Sequence, residues 1–194
     1  CDEKLISELL ENESIDTIVH FAAESHVDRS IDGPDAFINT NIIGTHVLLK
    51  AAKTRWLEQG NGGVNYRFHH VSTDEVYGSL SMDEPAFTET TAYDPSSPYS
   101  ASKACAELAT SAYRRAFTPD GPRLASVRAG NVLGGGDWAR DRLVPDLVRA
   151  LHAEEPALIR NPSSVRPWQH VLDPIAGYLK VAEGLHSGVP GIDD

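Results

Sequence analysis

Two short runs in this chain of 194 residues carry side chains that could do acid–base chemistry. The first is Thr73-Asp74-Glu75, which follows the apolar-leaning run Phe-His-His-Val at 68–71. Two adjacent carboxylates at the end of a buried strand can be driven to different pKa values by their surroundings, so that one serves as acid and the other as base. Read alone, the run is more simply a solvated turn with incidental charge. The second is Tyr99-Ser-Ala-Ser-Lys103. On a helix, positions i and i+4 share a face, and an ammonium beside a phenol favours the phenolate, lowering its pKa from the usual value of about 10. Tyr99 is then a candidate general base for an alcohol proton, and Lys103 can also hold ribose hydroxyls. Read alone, this spacing fits an exposed Tyr and Lys on a polar helix equally well.

Other features carry less. Gly134-Gly135-Gly136 lacks the Lys-Ser/Thr that follows in a phosphate loop and reads as a turn. The eight histidines, His69 and His70 among them, show no ligand spacing, so no metal is expected. Cys1 and Cys105 form neither a disulfide framework nor a C-x-x-C pair, which points to a reducing, cytoplasmic setting. Asn12-Glu13-Ser14 matches a glycosylation acceptor, a chance match in such a setting.

Positioning the two runs falls to alternating helices and strands. Residues 4–11 read as a helix with Leu5, Ile6 and Leu9 on one face. Residues 16–23 read as a buried strand ending in small residues. Pro34 opens a long helix reaching roughly residue 58, and 66–72 are the next strand. After an irregular Thr-, Pro- and Ser-rich stretch, a helix is expected from 97 to about 117, a strand over 124–129 and a loop over 130–138. A helix over 142–153, a short strand over 157–159 and a closing helix over 173–186 follow. This alternation predicts an α/β fold with a parallel sheet covered on both faces. Ligands then sit beyond the carboxyl ends of the strands, where residues 72–75 and the loop at Asn131 fall.

An apolar fraction of 41% suits one domain, or one and a part. With 28 acidic against 17 basic residues, and a net charge of -11, nucleic acid and anionic membrane are disfavoured as main partners. A local basic pocket for a small anion is compatible with that balance. No apolar run approaches the length of a membrane span, and no signal peptide is evident. A chain that opens with Cys1 and enters a helix at once reads as a piece of a longer protein.

With both runs in place, the chain resembles the extended short-chain dehydrogenase/reductase superfamily and, within it, the nucleotide-sugar 4,6-dehydratases. The resemblance is carried by HFAAESHVDRS (20–30), NTNIIGT (39–45), VSTDEVYG (71–78), SSPYSASKA (96–104) and RPWQHV (166–171). It covers nearly the whole chain, and Thr-Asp-Glu is its most specific part. It implies a Rossmann-like doubly wound parallel sheet, with a partial NAD-binding domain over 1–135. Over 136–194 it implies part of a small carboxyl-terminal substrate-binding region, interleaved with the last Rossmann elements. The implied cofactor is NAD, the implied substrate a nucleotide-diphosphate sugar, and the implied assembly a homodimer.

The resemblance also implies roles. Tyr99, tuned by Lys103, removes the proton of the sugar 4-hydroxyl, and Thr73 hydrogen-bonds the same oxygen. Glu75 removes the C5 proton and Asp74 donates to the departing 6-hydroxyl, with NAD as oxidant at C4 and reductant at C6. Cofactor contacts fall on Phe21, Ala22, Ala23, Ser25, Thr40, Ser72, Tyr99 and Lys103. Substrate contacts fall on Ser25, Thr73, Asn131, Arg142 and Arg166, an arginine fork being suited to a diphosphate.

The chain departs from the family pattern in two ways. No G-x-x-G-x-x-G turn occurs anywhere in it, so the segment bearing that turn is expected to be missing. Up to about Ala104 the chain resembles dTDP-glucose 4,6-dehydratases, whereas 105–186 are more similar to CDP-glucose 4,6-dehydratases, which typically carry Lys where Glu75 stands. The nucleotide base therefore stays open between the two, and a chimeric origin is an alternative. So are an epimerase or decarboxylase of the same superfamily, and an inactive dinucleotide-binding fragment.

Overall fold

The computed structural model of the protein describes residues 1–59, 65–117 and 120–192. Its first helix, α1 (Glu3–Asn12), starts where Asp2 caps it, the carboxylate accepting from the Leu5 amide at 3.0 Å. The buried face of α1 differs from the one expected. Leu10 is buried and Ile6 packs beside it against the core, whereas Leu5 and Leu9 are exposed. Both pairs have i, i+4 spacing, so the pattern alone could not choose between two faces a single residue apart.

β1 (Thr17–His20) is shorter than the expected strand, and residues 21–26 leave the sheet before α2 (Val27–Asp32). Pro34, with φ −68°, precedes α3 (Asp35–Phe37). The chain stays helical from there to Glu58, as expected, but not uniformly. A π-helical turn (Ile38–Ile43) comes before α4 (Gly44–Ala52), and a second one (Lys53–Glu58) after it. β2 (Arg67–Thr73) runs into a 3₁₀ turn (Asp74–Tyr77), and α5 (Pro98–Phe117) and β3 (Arg123–Ala129) follow.

The three strands form a parallel sheet in the order β1-β2-β3, with Val19 opposite His69 and Val71 opposite Val127. β2 is central, so its side chains are buried on both faces, and successive residues point to opposite sides. Phe68 faces Leu49 and Trp56 of the long helical run and Ala109 and Tyr113 of α5. His69 faces the other way, where the Tyr178 ring meets it edge-on at 5.7 Å. Leu10, Leu49, Trp56, Phe68 and Leu124 are the centre of the core. Trp56 stacks flat on Tyr66 at 5.0 Å and donates its indole N–H to the Ile15 carbonyl at 2.9 Å. Helix on one face and helix on the other make this the expected Rossmann-like α/β arrangement.

The chain divides into two compact units. The first comprises Cys1–Ala129 together with the residues from Tyr178 onward, and the second is Gly130–Gly177. In the second, β4 (Val132–Leu133) pairs in parallel with β5 (Gln169–His170), and α6 (Leu143–Ala153) lies between them in sequence. The strand expected over 157–159 does not form. Leu158 there is 84% exposed, so its apolar character reports no buried face. The two strands that do pair are two residues long, too short for a period of two to register. α7 (Leu172–Ser187) carries residues of both units. Among the described residues no helix is long and apolar enough to cross a membrane.

Candidate active site

The Thr-Asp-Glu run leaves the carboxyl end of β2, and local bonds account for its shape. Thr73 is still extended, with φ −142° and ψ 151°, and its hydroxyl accepts from the Glu75 amide at 3.3 Å. That is the bond a helix-capping Ser or Thr makes, and it starts the 3₁₀ turn directly after the strand. The same hydroxyl donates toward Asp74 Oδ1 at 3.4 Å. Val76 and Tyr77 are buried, which leaves Asp74 and Glu75 half-buried on the open side of the turn. The turn closes at Gly78, and the Asp94 amide ties it down by donating to the Val76 carbonyl at 3.0 Å.

α5 begins with a reciprocal serine pair. The Ser100 amide donates to Ser97 Oγ, and the Ser97 amide donates to Ser100 Oγ, both at 3.0 Å. This start puts half-buried Tyr99 in the first turn, its ring edge-on to Phe37 at 6.3 Å. Lys103 lies one turn on, 4% exposed, with Nζ donating to the Val71 carbonyl at 2.7 Å. Burial pushes its pKa down to about 8, against a smaller opposing pull from Glu107. The two motifs thus meet on one strand end: Lys103 is anchored to β2 two residues before Thr73.

Beside Lys103 lie buried imidazoles. Burial first, and then the Lys103 charge, lower the pKa of His20 to about 4, and the same causes hold His70 well below its usual value. The Thr45 hydroxyl donates to the Asn41 carbonyl at 2.6 Å, so His20 Nε2, 2.9 Å from that hydroxyl, must be the donor to it. One tautomer of His20 is thereby selected. Ser72 Oγ is buried and, among the described residues, has no hydrogen-bond partner.

Sequence reasoning missed Asn41. It lies in the first π-helical turn, 1% exposed, and its amide serves two segments at once. Its Oδ1 accepts from the Glu24 amide, and its Nδ2 donates to the Glu24 carbonyl, both at 2.9 Å. Nδ2 also donates to Ser102 Oγ at 2.8 Å. The segment after β1, which carries Phe21, Ala22, Ala23 and Ser25, is so tied to the helix that carries Tyr99 and Lys103. The available signal was an Asn preceding two isoleucines in a helix that packs on a core, a position where an apolar residue is the default.

Of the other candidate residues, Phe21, Ala22 and Ser25 are exposed and Ala23 is half-buried on the segment after β1. Thr40 is half-buried in the π-helical turn. Asn131, Arg142 and Arg166 belong to the second unit. There the Asn131 carbonyl accepts from the Gln169 amide at 2.9 Å, the Arg142 carbonyl at the start of α6 accepts from the Asp146 amide at 2.9 Å, and the Arg166 carbonyl accepts from the Trp168 amide at 3.0 Å.

Comparison with known proteins adds context. The family model described as GDP-mannose 4,6 dehydratase matches residues 1–187. A dTDP-glucose 4,6-dehydratase of Haemophilus influenzae is 40% identical over 188 residues, covering 95% of this chain and 54% of that relative. A CDP-glucose 4,6-dehydratase of Salmonella typhimurium is 41% identical over 178 residues, covering 88% of this chain and 47% of that relative. A solved dTDP-glucose 4,6-dehydratase from Streptomyces venezuelae with NAD bound superposes with a TM-score of 0.82 at 38% identity, over 94% of this chain and 52% of that one. The chain spans about half the length of the curated relatives it matches.

Proposed function

The chain belongs to the GDP-mannose 4,6 dehydratase family, and from that premise we propose that it serves an NAD-dependent nucleotide-sugar 4,6-dehydratase acting on dTDP-glucose. The observation that carries the reading is the meeting of the two motifs on the end of β2. Lys103 is pinned to Val71, and Thr73, Asp74 and Glu75 leave the same strand two to four residues later. An oxidation pair and an elimination pair on one strand end suit a reaction that oxidises C4 and eliminates water across C5 and C6.

The residues present fit the dinucleotide. Ser72 Oγ is buried with unspent hydrogen-bonding capacity, and the small side chains of Ala22 and Ala23 leave the backbone beyond β1 open to close approach. Phe21, Ser25, Thr40, Tyr99 and Lys103 complete the set that would hold it. When bound, NAD supplies the oxidation at C4 and the later reduction at C6. Tyr99 removes the 4-hydroxyl proton, and the buried ammonium of Lys103 favours the phenolate that makes this possible. Thr73 offers its hydroxyl to the same oxygen. Glu75 takes the C5 proton, acidified by the 4-keto group, while Asp74 gives its proton to the departing 6-hydroxyl, so that water leaves. In this reading the candidate nucleotide-diphosphate sugar contacts are Ser25 and Thr73 in the first unit, and Asn131, Arg142 and Arg166 in the 130–177 unit.

CDP-glucose is the second reading, favoured by the 41% identity to a CDP-glucose enzyme. The protein expressed from its full reading frame, incubated separately with dTDP-glucose and CDP-glucose, decides between them. A 4-keto-6-deoxy product that absorbs in alkali is expected from dTDP-glucose; product from CDP-glucose alone selects the second reading. No product from either, with NAD demonstrably bound, rejects the dehydratase. Glu75→Gln is expected to lower turnover at least ~10²-fold, the scale of a lost general base; an epimerase would keep most of its rate.

A further inference from the structure

Arg128, near the end of β3, is the centre of a buried polar cluster that the proposed chemistry does not use. Its Nε donates to both carboxylate oxygens of Glu107, at 3.1 and 2.9 Å, and Nη2 also reaches Glu107 Oε2. Nη2 donates to the Tyr93 hydroxyl and Nη1 to the Tyr77 hydroxyl, each at 2.7 Å. The Tyr93 hydroxyl in turn donates to Glu107 Oε2 at 2.7 Å. The Glu107 side chain is 1% exposed and that of Arg128 18%. Burial of two charges in this way is tolerated only when each is matched by its partners, and here the carboxylate and both phenols are satisfied.

The cluster joins four segments. Arg128 belongs to β3, and Glu107 lies on α5 one turn beyond Lys103. Tyr77 ends the turn that carries Asp74 and Glu75. Tyr93 adjoins Asp94, whose amide holds the Val76 carbonyl. The guanidinium is planar and its donors diverge at fixed angles, so its bonds to Glu107 and Tyr77 fix a distance between α5 and the turn. The start of α5 has its own fastenings, Lys103 to Val71 and Asn41 to Ser102. Loosening Arg128 therefore frees the turn more than it frees Tyr99 and Lys103.

We propose that Arg128, through Glu107 and Tyr77, is a positioning residue that sets the Asp74–Glu75 turn against α5, and so governs the elimination step separately from the oxidation step. The assignment of steps rests on the dehydratase reading above; the mechanical brace does not.

Tyr77→Phe in the full-length protein cuts the turn from the brace without leaving a buried charge unpaired, and Arg128→Gln removes the hub. Two measurements are made on each. Hydrogen exchange of the amides at 75–78 is expected to speed up roughly tenfold, the worth of one lost hydrogen bond to a charged group, with the amides of β2 unchanged. In single turnover, deuterium uptake from solvent at C5 is expected to slow by ~10²-fold or less, the cost of a displacement near 1 Å, while in Tyr77→Phe, which leaves Glu107 paired with Arg128, reduced nicotinamide forms at the wild-type rate. A merely structural role would lower both steps together with the folded fraction, and that result overturns the proposal. So does unchanged exchange at 75–78 in Tyr77→Phe, the milder variant. Faster exchange at 75–78 in a protein whose wild type carries out neither step would leave the brace standing and reject the dehydratase reading alone.

Discussion

Lys103 and His20 are held away from their solution pKa values by the same cause, burial, and both tilt stability in one direction. His20 titrates near 4 in the folded protein against 6.5 when unfolded. Between those values the unfolded chain binds the extra proton, so stability falls as the pH drops through that window. Buried His70 adds to the same trend. Lys103 titrates near 8 when folded against 10.5 when unfolded. The cost of its buried ammonium is fully present below about 8 and is relieved as pH rises toward the unfolded value. The urea midpoint is therefore expected to climb across both windows. Lys103→Met should remove the upper climb and His20→Asn should weaken the lower one; profiles that overlay the wild type would contradict the assigned burial. At this scale the sequence was informative where a role depends on neighbours in the chain. Thr73, Asp74 and Glu75 are adjacent, and Tyr99 and Lys103 are one turn apart. It was silent on Asn41, whose partners lie 17 and 61 residues away.

The turn after β2 depends on a backbone conformation that only one residue supplies cheaply. Gly78 has φ +87°, and a Cβ there would run into the Asp94 carbonyl oxygen. That carbonyl is main chain, so the conflict cannot be relieved by a rotamer change. Gly78→Ala is expected to cost on the order of 2–4 kcal/mol, combining a left-handed backbone with a steric clash. Thermal unfolding should show it as a melting point lowered by several degrees. A change under about 0.5 kcal/mol, the level of a neutral surface substitution, would refute the argument. Within the first unit, element types and order were legible because a buried central strand such as β2 and a long capped helix such as α5 announce themselves over many residues. Element faces were less so. Leu5 and Leu9 satisfied the helical period as well as Ile6 and Leu10 did, and only packing against Trp56 and Leu49 selected the second pair.

For the molecule as a whole, the net charge of -11 and the division into two units frame where specificity resides. In the proposed reading, the acid–base residues all belong to the first unit, whereas Asn131, Arg142 and Arg166 belong to the 130–177 unit. Nucleotide choice and chemistry should then separate by segment exchange. Replacing residues 130–177 with their counterpart from a CDP-glucose relative is expected to lower the ratio of kcat/KM for dTDP-glucose over CDP-glucose by about tenfold or more. Dependence on Glu75 should survive the exchange. A ratio that stays put would assign nucleotide choice to the first unit.

By itself the sequence determined the fold class and named the candidate reactive groups. Strand and helix periods, and the spacing of Tyr99 from Lys103 and of Thr73 from Glu75, are properties of neighbouring residues that any fold must respect. Only the tertiary structure decided how those groups are held. The Lys103 amine on Val71, the Asn41 link between Glu24 and Ser102, and the Arg128 hub joining Glu107 to Tyr77 all bridge residues distant in the chain. The physical reason is burial. A polar group removed from water must find its partner in three dimensions, and no local pattern records which one it will be.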